Sequence, residues 1–486
     1  MIRREPEGAT REAHDLIVIG GGMYGVCAAR EAALRGIRTL LLEKSDFGGA
    51  TTWNSLRFLH GGLRYLQTAD IGRFRESYQE RRWFLRTFPS LARILPCHFP
   101  LYGEGLRRVS VFRAALWAND LLSSNRNEGV REDRRIPPGR IVSRTETEQR
   151  FPSLPAKGLQ GAGLWYDGFA PNPERLLMEI LHQACEAGAV ALNYVEARSP
   201  IEGGKGVCGV RAFDRVAGKE LSFRGEKILS CAGPWCAGLA AEWGSARKEI
   251  FHPSVAFNLL LRKKPLWEGA LALHPPNAAG GAAFVLPHRS WTLAGTSYAP
   301  RPRGTTEAKP TEEEIQRFLD DLNRALPALS FQRGDVLRIF AGLLPATEEG
   351  TTRLAKHPLF VDHRSEGMPC GLFTICGVKV TTARAVAEKA VRRIFPGRPA
   401  PSIPGGVERA ASFGGIDPDD PRPFLGAPPE EVTPGLTRWI DEESVVYPED
   451  LVYRRTDWGA APEEADAAVE KVCRLLGCAP GEPVPR

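Results

Sequence analysis

Along the first fifty residues, hydrophobic and polar positions alternate so as to define one complete unit. Residues 15–19 (DLIVI) form a short apolar, β-branched run of the kind that makes a buried parallel strand. Gly20-Gly21-Gly22-Met23-Tyr24-Gly25 follows at once. An Ala-rich helical segment, 26–35, then stops at Gly36, a good helix-ending signal. A second apolar run, 37–42, ends in Glu43. Strand, helix and strand make one βαβ unit.

The same style returns downstream. Residues 173–187 read as a helix, and Gly188 turns the chain into a strand that runs through Val195. Residues 207–213 and 220–223 read as a hairpin closed by Ala217-Gly218, and 226–231 as another short strand. Strand-like runs with Pro and Gly punctuation fill 251–297. Thr311 with Glu314 forms a capping box at the start of a helix over 311–326. A last helix of the main body is expected over 381–394. Residues 396–436, rich in Pro, Gly and Asp, read as a linker, with a small helical tail behind it. No internal repeat is visible.

The chain has 486 residues, 25% charged and 43% hydrophobic, which excludes a disordered, collagenous or coiled-coil protein. The balance of 64 basic against 58 acidic residues gives +6, too mild over this length to imply a nucleic-acid partner. Ten cysteines are too few for a disulfide scaffold. Cys231/Cys236, Cys370/Cys376 and Cys473/Cys478 have spacings and neighbours that do not suit zinc, so no metal is expected. Reduced thiols and an N-terminus without a signal peptide predict a cytoplasmic protein. No run of residues is long and apolar enough to span a bilayer.

Gly20-x-Gly22-x-x-Gly25 lies between a strand and a helix, with Glu43 ending the next strand, 23 residues after Gly20. The first glycine permits the turn, the second admits a pyrophosphate, and the third lets helix and strand close together. The helix N-terminus offers N–H groups to the anion. Glu43 is placed to accept from ribose hydroxyls, which disfavours a 2′-phosphate. A second Gly-rich segment, 371–382 (GLFTICGVKVTT), precedes the late helix. Two such segments suit a flavin, whose isoalloxazine lies far from its adenosine half and gains from a helix N-terminus near N1/C2=O.

These segments resemble, in order along the chain, those of the FAD-dependent glycerol-3-phosphate dehydrogenase family within the D-amino-acid-oxidase-like flavoproteins. The resemblance is carried by 50–66 (ATTWNSLRFLHGGLRYL), 231–235 (CAGPW), 293–296 (LAGT), 377–384 (GVKVTTAR) and, more faintly, 446–458 (VYPEDLVYRRTDW). It implies an α/β fold in which a Rossmann-like FAD domain (14–95, 160–245, 335–395) is interrupted by a β-sheet substrate domain (96–159, 246–334), with 396–486 as linker and helical tail. It also implies noncovalent FAD and two-electron oxidation of a secondary alcohol.

Arg64 and Tyr65 offer a cation and a phenol for an anionic, hydroxylated substrate. Lys379 is expected to hold substrate oxygen or stabilise reduced flavin, and Asn258 stands where the family carries a candidate base histidine. The cofactor residues expected are Gly20, Gly22, Gly25, Glu43, Thr51, Thr52, Asn54, His60, Gly61, Gly62, Val195, Ala232, Gly233, Trp235, Gly342, Gly377, Val378, Lys379, Val380 and Thr381.

The departures bear on the substrate. The family's G-x-R-P segment reads Gly342-Leu343-Leu344-Pro345 here, so Leu344 deletes a charge-assisted clamp. Arg353 and Lys356, shortly downstream, are candidate replacements. The expected substrate is therefore a small alcohol that need not be glycerol 3-phosphate. An amine or amino-acid oxidase and a catalytically impaired flavoprotein binding module are the alternatives. A quinone or dioxygen is the expected electron acceptor, with a homodimer left open. Basic amphipathic segments at 71–88 and 106–122 leave open a peripheral contact with the inner face of a membrane, against the simpler reading of solvated faces over a core.

Overall fold

The βαβ unit seeds a six-stranded sheet ordered Leu359–Asp362, Leu372–Cys376, Ile228–Ser230, Leu16–Ile19, Thr39–Leu42, Val190–Leu192. All neighbours pair in parallel except the first two, which are antiparallel. Leu16–Ile19 is buried at all four positions, as a strand covered on both faces must be. The helix Met23–Ala33 begins three residues earlier than its Ala-rich pattern suggests, and Gly36 (φ +69°) turns the chain out of it. The hairpin of Gly206–Asp214 with Lys219–Gly225 joins Val195–Gly203 and Ala13–His14 in a separate four-stranded sheet. The capping box of Thr311 and Glu314 opens the helix Glu312–Ala325.

The structure, a computed structural model, describes residues 1–204, 206–245, 250–274, 282–399, 428–460 and 462–485. They divide into one unit of Met1–Trp53, Asn172–His252 and Ala355–Arg486, and another of Asn54–Pro171 and Pro253–Leu354. The second unit is built on a large sheet in which Pro253–Leu261, buried at all nine positions, is flanked by Val336–Pro345 and Trp291–Pro300. The same sheet continues through Ala283–His288, Ala270–Leu273, Arg93–Leu101, Gly161–Phe169 and Phe58–Leu59. These boundaries differ from the expected ones. Residues 54–95, 160–171 and 335–354 belong with the second unit, because their strands are rungs of its sheet.

The tail also differs from expectation. Its described residues belong to the first unit, and most of the expected linker, 400–427, lies outside the described residues. A buried ion network ties it there. Glu443 receives both Nη atoms of Arg175 at 2.8 Å, and both residues are fully buried. Arg455, also fully buried, grips Asp46 through two bonds of 2.6 and 2.9 Å. Burial would raise the Glu443 carboxyl, but Arg175 and the His182 hydrogen bond hold it well below its ordinary 4.5. Burial lowers His182 as well, so a neutral ring donates at 3.2 Å and Arg175 is the cation.

Of the two amphipathic segments, Ile71–Thr87 buries Phe74, Tyr78 and Leu85, as a core-facing helix does. Val109–Leu122 leaves Trp117 69% and Leu121 57% exposed. Among the described residues no helix is long and apolar enough to cross a membrane. All ten cysteines are free.

Glu443→Gln should lower the unfolding free energy by ~3–5 kcal/mol, because the fully buried Arg175 loses its bidentate carboxylate and keeps only Glu179 as a charge partner. Asp15→Asn, which breaks an ion pair with the largely exposed Arg38, should cost about 1 kcal/mol or less. Since the Glu443 pKa is depressed on folding, its contribution is complete above about pH 4.5 and is lost as pH falls below that. Urea titrations from pH 3 to 7 measure both effects. A Glu443→Gln protein as stable as wild type at pH 7 would contradict the assignment.

Candidate functional site

In the first unit the glycine fingerprint is explained position by position. Gly20 has φ +103°, and a Cβ there would stand 2.7 Å from the Cys231 carbonyl oxygen, where Ala232 and the turn Gly233–Trp235 begin. A Cβ on Gly25 would overlap the Gly20 carbonyl outright, so glycine is the only residue that lets this helix seat on this turn. Gly22 is different. Its backbone is extended (φ −77°), and among the described residues the nearest atom to an added Cβ is Thr52 Oγ1 at 3.6 Å. No protein contact demands glycine here, and the space it leaves lies at the N-terminus of Met23–Ala33. Thr52 is buried and accepts the Met23 N–H at 3.1 Å. Thr51 precedes it, half-buried.

Glu43 takes the Gly21 N–H at 2.6 Å on one carboxylate oxygen and the Ser45 N–H at 2.9 Å on the other. Each oxygen keeps a further acceptor site, which suits ribose hydroxyls. Burial raises its pKa, and the two backbone donors pull it partway back. Val195 is fully buried, and its N–H bonds to the Glu43 carbonyl at 2.8 Å. Lys44 lies over the Trp235 ring, 3.9 Å from its centroid.

The two glycine-rich segments meet through Tyr24, a residue inside the fingerprint whose role went unread in the sequence. Its hydroxyl donates to the Lys379 carbonyl at 2.8 Å and accepts the Lys379 N–H at 3.1 Å. Burial raises the phenol, so it stays protonated. Gly377 is glycine because a Cβ would overlap the Tyr24 ring. Val378, Lys379 and Val380 are half-buried, Thr381 is buried, and Thr382 immediately precedes the helix Ala383–Ile394.

The remaining expected residues lie in the second unit. His60 Nδ1 is 3.4 Å from Asp167 Oδ2, and the ring stacks on Phe58 with centroids 5.1 Å apart. Asp167 also accepts from the Gly61 N–H at 2.6 Å and from Arg81 at 3.1 Å. Burial would raise this carboxyl, but His60, Arg81 and the Gly61 N–H together hold it below the usual range. Asp167 was missed, although a lone acid in the apolar run GAGLWYDGF is a readable signal. Gly61 and Gly62 serve packing here, since added Cβ atoms would meet the Arg81 guanidinium and Ser77 on the helix Ile71–Thr87.

Arg64 is exposed. Tyr65 is not. It is 5% exposed, packs with Phe74 and Tyr78, and lies under Arg73 at 4.3 Å. Its apolar neighbours on the adjoining helix make it a core residue. Asn258 is likewise committed: its amide donates to the Asn54 carbonyl at 3.1 Å and accepts from Thr296 at 2.9 Å, with 3% exposure. It holds Asn54 to the sheet, and an amide has no proton affinity for base work.

Tyr298 lies within electrostatic reach of Arg64. Burial raises its phenol, and Arg64 with a Thr296 hydrogen bond pulls it partway back. Gly342 pairs with Ala256, and Leu344 with Ser254. Strand alternation puts Arg338, Phe340, Gly342 and Leu344 on one face. Arg57 and Arg338 lie 5.4 and 5.9 Å from the Phe340 ring centroid. Arg353 is exposed beside the bridge between Ala346 and Leu354, while Lys356 belongs to the first unit.

Comparison with known proteins gives this geometry a context. A family model described as FAD dependent oxidoreductase matches residues 15–393. The chain is 30% identical over 407 residues to a glycerol-3-phosphate dehydrogenase of Synechocystis, covering 81% of this chain and 72% of that protein. It is 31% identical over 395 residues to a probable mitochondrial glycerol-3-phosphate dehydrogenase of Caenorhabditis elegans, covering 79% of this chain and 53% of that one. The chain thus spans only about half the length of this second relative. The fold is similar to that of the Bacillus halodurans glycerol-3-phosphate dehydrogenase solved with FAD, with TM-score 0.71 and 22% identity over 98% of this chain and 93% of that one.

The open space at Gly22 and the crowding at Gly25 predict opposite phenotypes. Gly22→Val should lose the bound flavin while its unfolding free energy stays within ~1 kcal/mol of the flavin-free wild type. Gly25→Ala should lose both, since it pushes the helix off its strand. Visible absorbance per polypeptide and thermal unfolding measure the pair. Full flavin occupancy in Gly22→Val would contradict the cradle.

Proposed function

On the premise that the chain belongs to the FAD-dependent oxidoreductase family, among its glycerol-3-phosphate dehydrogenases, we propose that it oxidises the secondary alcohol of a small polyol-type substrate. The cofactor is FAD. The first unit's residues fit it: the space at Gly22 and the helix N-terminus suit the pyrophosphate, and Glu43 suits the ribose. When bound, FAD would supply a two-electron acceptor for the hydride of the carbinol carbon.

The observation that carries the reading is the His60–Asp167 pair. Oxidising an alcohol by hydride loss requires a group to take the hydroxyl proton. Asp167, ionised and held by Arg81 and Gly61, favours the tautomer with the proton on Nδ1 of His60. That makes Nε2 the basic nitrogen. Arg64 would meet the anionic end of the substrate, with Tyr298 beside it as a hydroxyl donor. Lys379, fixed through its backbone by Tyr24, would hold substrate oxygen or stabilise the reduced ring. Quinone or dioxygen would take the electrons onward.

Leu344 sets the substrate's limits. A phosphate monoester carries nearly two charges at neutral pH, and an alkyl group on this face cannot pair with them. Glycerol 3-phosphate is therefore a poor substrate in this reading, with Arg64 carrying most of the grip.

Two measurements follow. His60→Gln should lower kcat by ~10²–10⁴-fold with FAD and fold retained, because the base is lost and His60 is 40% exposed. Turnover within threefold of wild type would remove His60 from the mechanism. Leu344→Arg should raise kcat/KM for glycerol 3-phosphate by roughly ten- to a hundredfold, the value of one charge-assisted contact. Efficient wild-type turnover that Arg353→Ala abolishes would instead place the clamp at Arg353.

A further inference from the structure

The turn that carries Glu43 is held from both sides. On one side it closes over the fingerprint: the Gly48 N–H bonds to the Gly21 carbonyl at 3.0 Å, and Phe47 and Glu43 leave room at Gly21 only for hydrogen. On the other side Asp46, three residues after Glu43, is 6% exposed and saturated with donors. Arg455 gives it two bonds, and Asn193 a third at 2.9 Å. Arg455 is in turn fixed by donating to the Glu443 carbonyl through Nε and Nη2, at 3.1 and 2.9 Å. Its neighbour Arg454 lies over the Trp53 ring at 4.7 Å and against Gly49, on the loop that carries Thr51 and Thr52.

Four hundred residues downstream of the fingerprint, the tail thus grips the segment 46–53, which joins the ribose acid to the pyrophosphate cradle. We propose that Arg455, with Arg454, is a positioning element for FAD: it sets the cofactor's affinity by fixing the turn 43–49 and the loop after it, without touching the cofactor. The proposal rests on the reading that Gly22 and Glu43 hold the pyrophosphate and ribose. A bidentate guanidinium is needed because it fixes both distance and plane of the Asp46 carboxylate. An ammonium would keep the charge and release the geometry.

The test separates positioning from mere stability. The FAD dissociation constant is read from the fluorescence of free FAD as purified full-length holoprotein is diluted, alongside the thermal midpoint. Arg455→Lys and Asp46→Asn should weaken FAD binding by about tenfold or more. Glu179→Gln, on the far side of the same network where it meets Arg175, should shift the constant less than about twofold whatever it does to the midpoint. Should the buried variants fail to fold, Arg454→Ala, at a half-buried position, should still weaken binding several-fold. Unchanged FAD affinity in Asp46→Asn or, failing that, in Arg454→Ala would overturn the proposal. So would affinity losses that track the midpoint equally for Glu179→Gln. Gly22→Val in the same assay guards the underlying reading: if it binds FAD like wild type, the cradle is misplaced and the proposal falls with it, whereas loss of FAD there with no effect at Arg455 refutes the positioning role alone.

Discussion

The seating of Gly25 against the Gly20 carbonyl is the constraint on which the first unit depends. No side chain fits between them, so the helix Met23–Ala33 starts directly above the end of the strand Leu16–Ile19. Its first-turn N–H groups lack helical acceptors, and they gather beside the space at Gly22. The same close approach carries Tyr24 to the backbone of Lys379 and brings Gly21 under Glu43. In the proposed reading, the dinucleotide cradle at Gly22 and the ribose acid Glu43 are both set by this one contact between two backbones.

The second unit works by a different principle. Its candidate site is ordered by side chains fixed through a buried charge pair rather than by bare backbone. Asp167 joins a strand to the His60–Gly61 segment, and Arg81 neutralises it from the helix behind. Gly61 and Gly62 are small so that the segment can lie on that helix. The imidazole is oriented and partly exposed, while the acid that orients it is sealed from water. This is the arrangement a base needs if its tautomer is to be defined before substrate arrives.

Much of this was legible in the sequence because it is local. The βαβ unit, the Gly206–Asp214 hairpin and the capping box at Thr311 announce themselves within a dozen residues. Contacts made across hundreds of residues left little trace. The pairing of Asp46 with Arg455 and of Glu443 with Arg175 has no local signature, because the partners lie hundreds of residues apart. The unit boundaries shifted for the same reason, since a strand such as Val336–Pro345 shows its own periodicity and not its partner in the sheet. Tyr65 and Asn258 are instructive failures. Their residue types suit a polar site, but Tyr65 turns into the aromatic cluster of Phe74 and Tyr78, and Asn258 spends its amide on Asn54 and Thr296.

The central claim is that this scaffold removes hydride from a carbon bearing a hydroxyl. Anaerobic mixing of the purified flavoprotein with a panel of polyols, their phosphate monoesters, amines and amino acids tests it most directly, with flavin bleaching followed by absorbance and products identified. The account predicts bleaching by a member of the alcohol series, with a ketone released in proportion to the flavin reduced. Bleaching by amines or amino acids alone, with imine or ammonia as product, would contradict it.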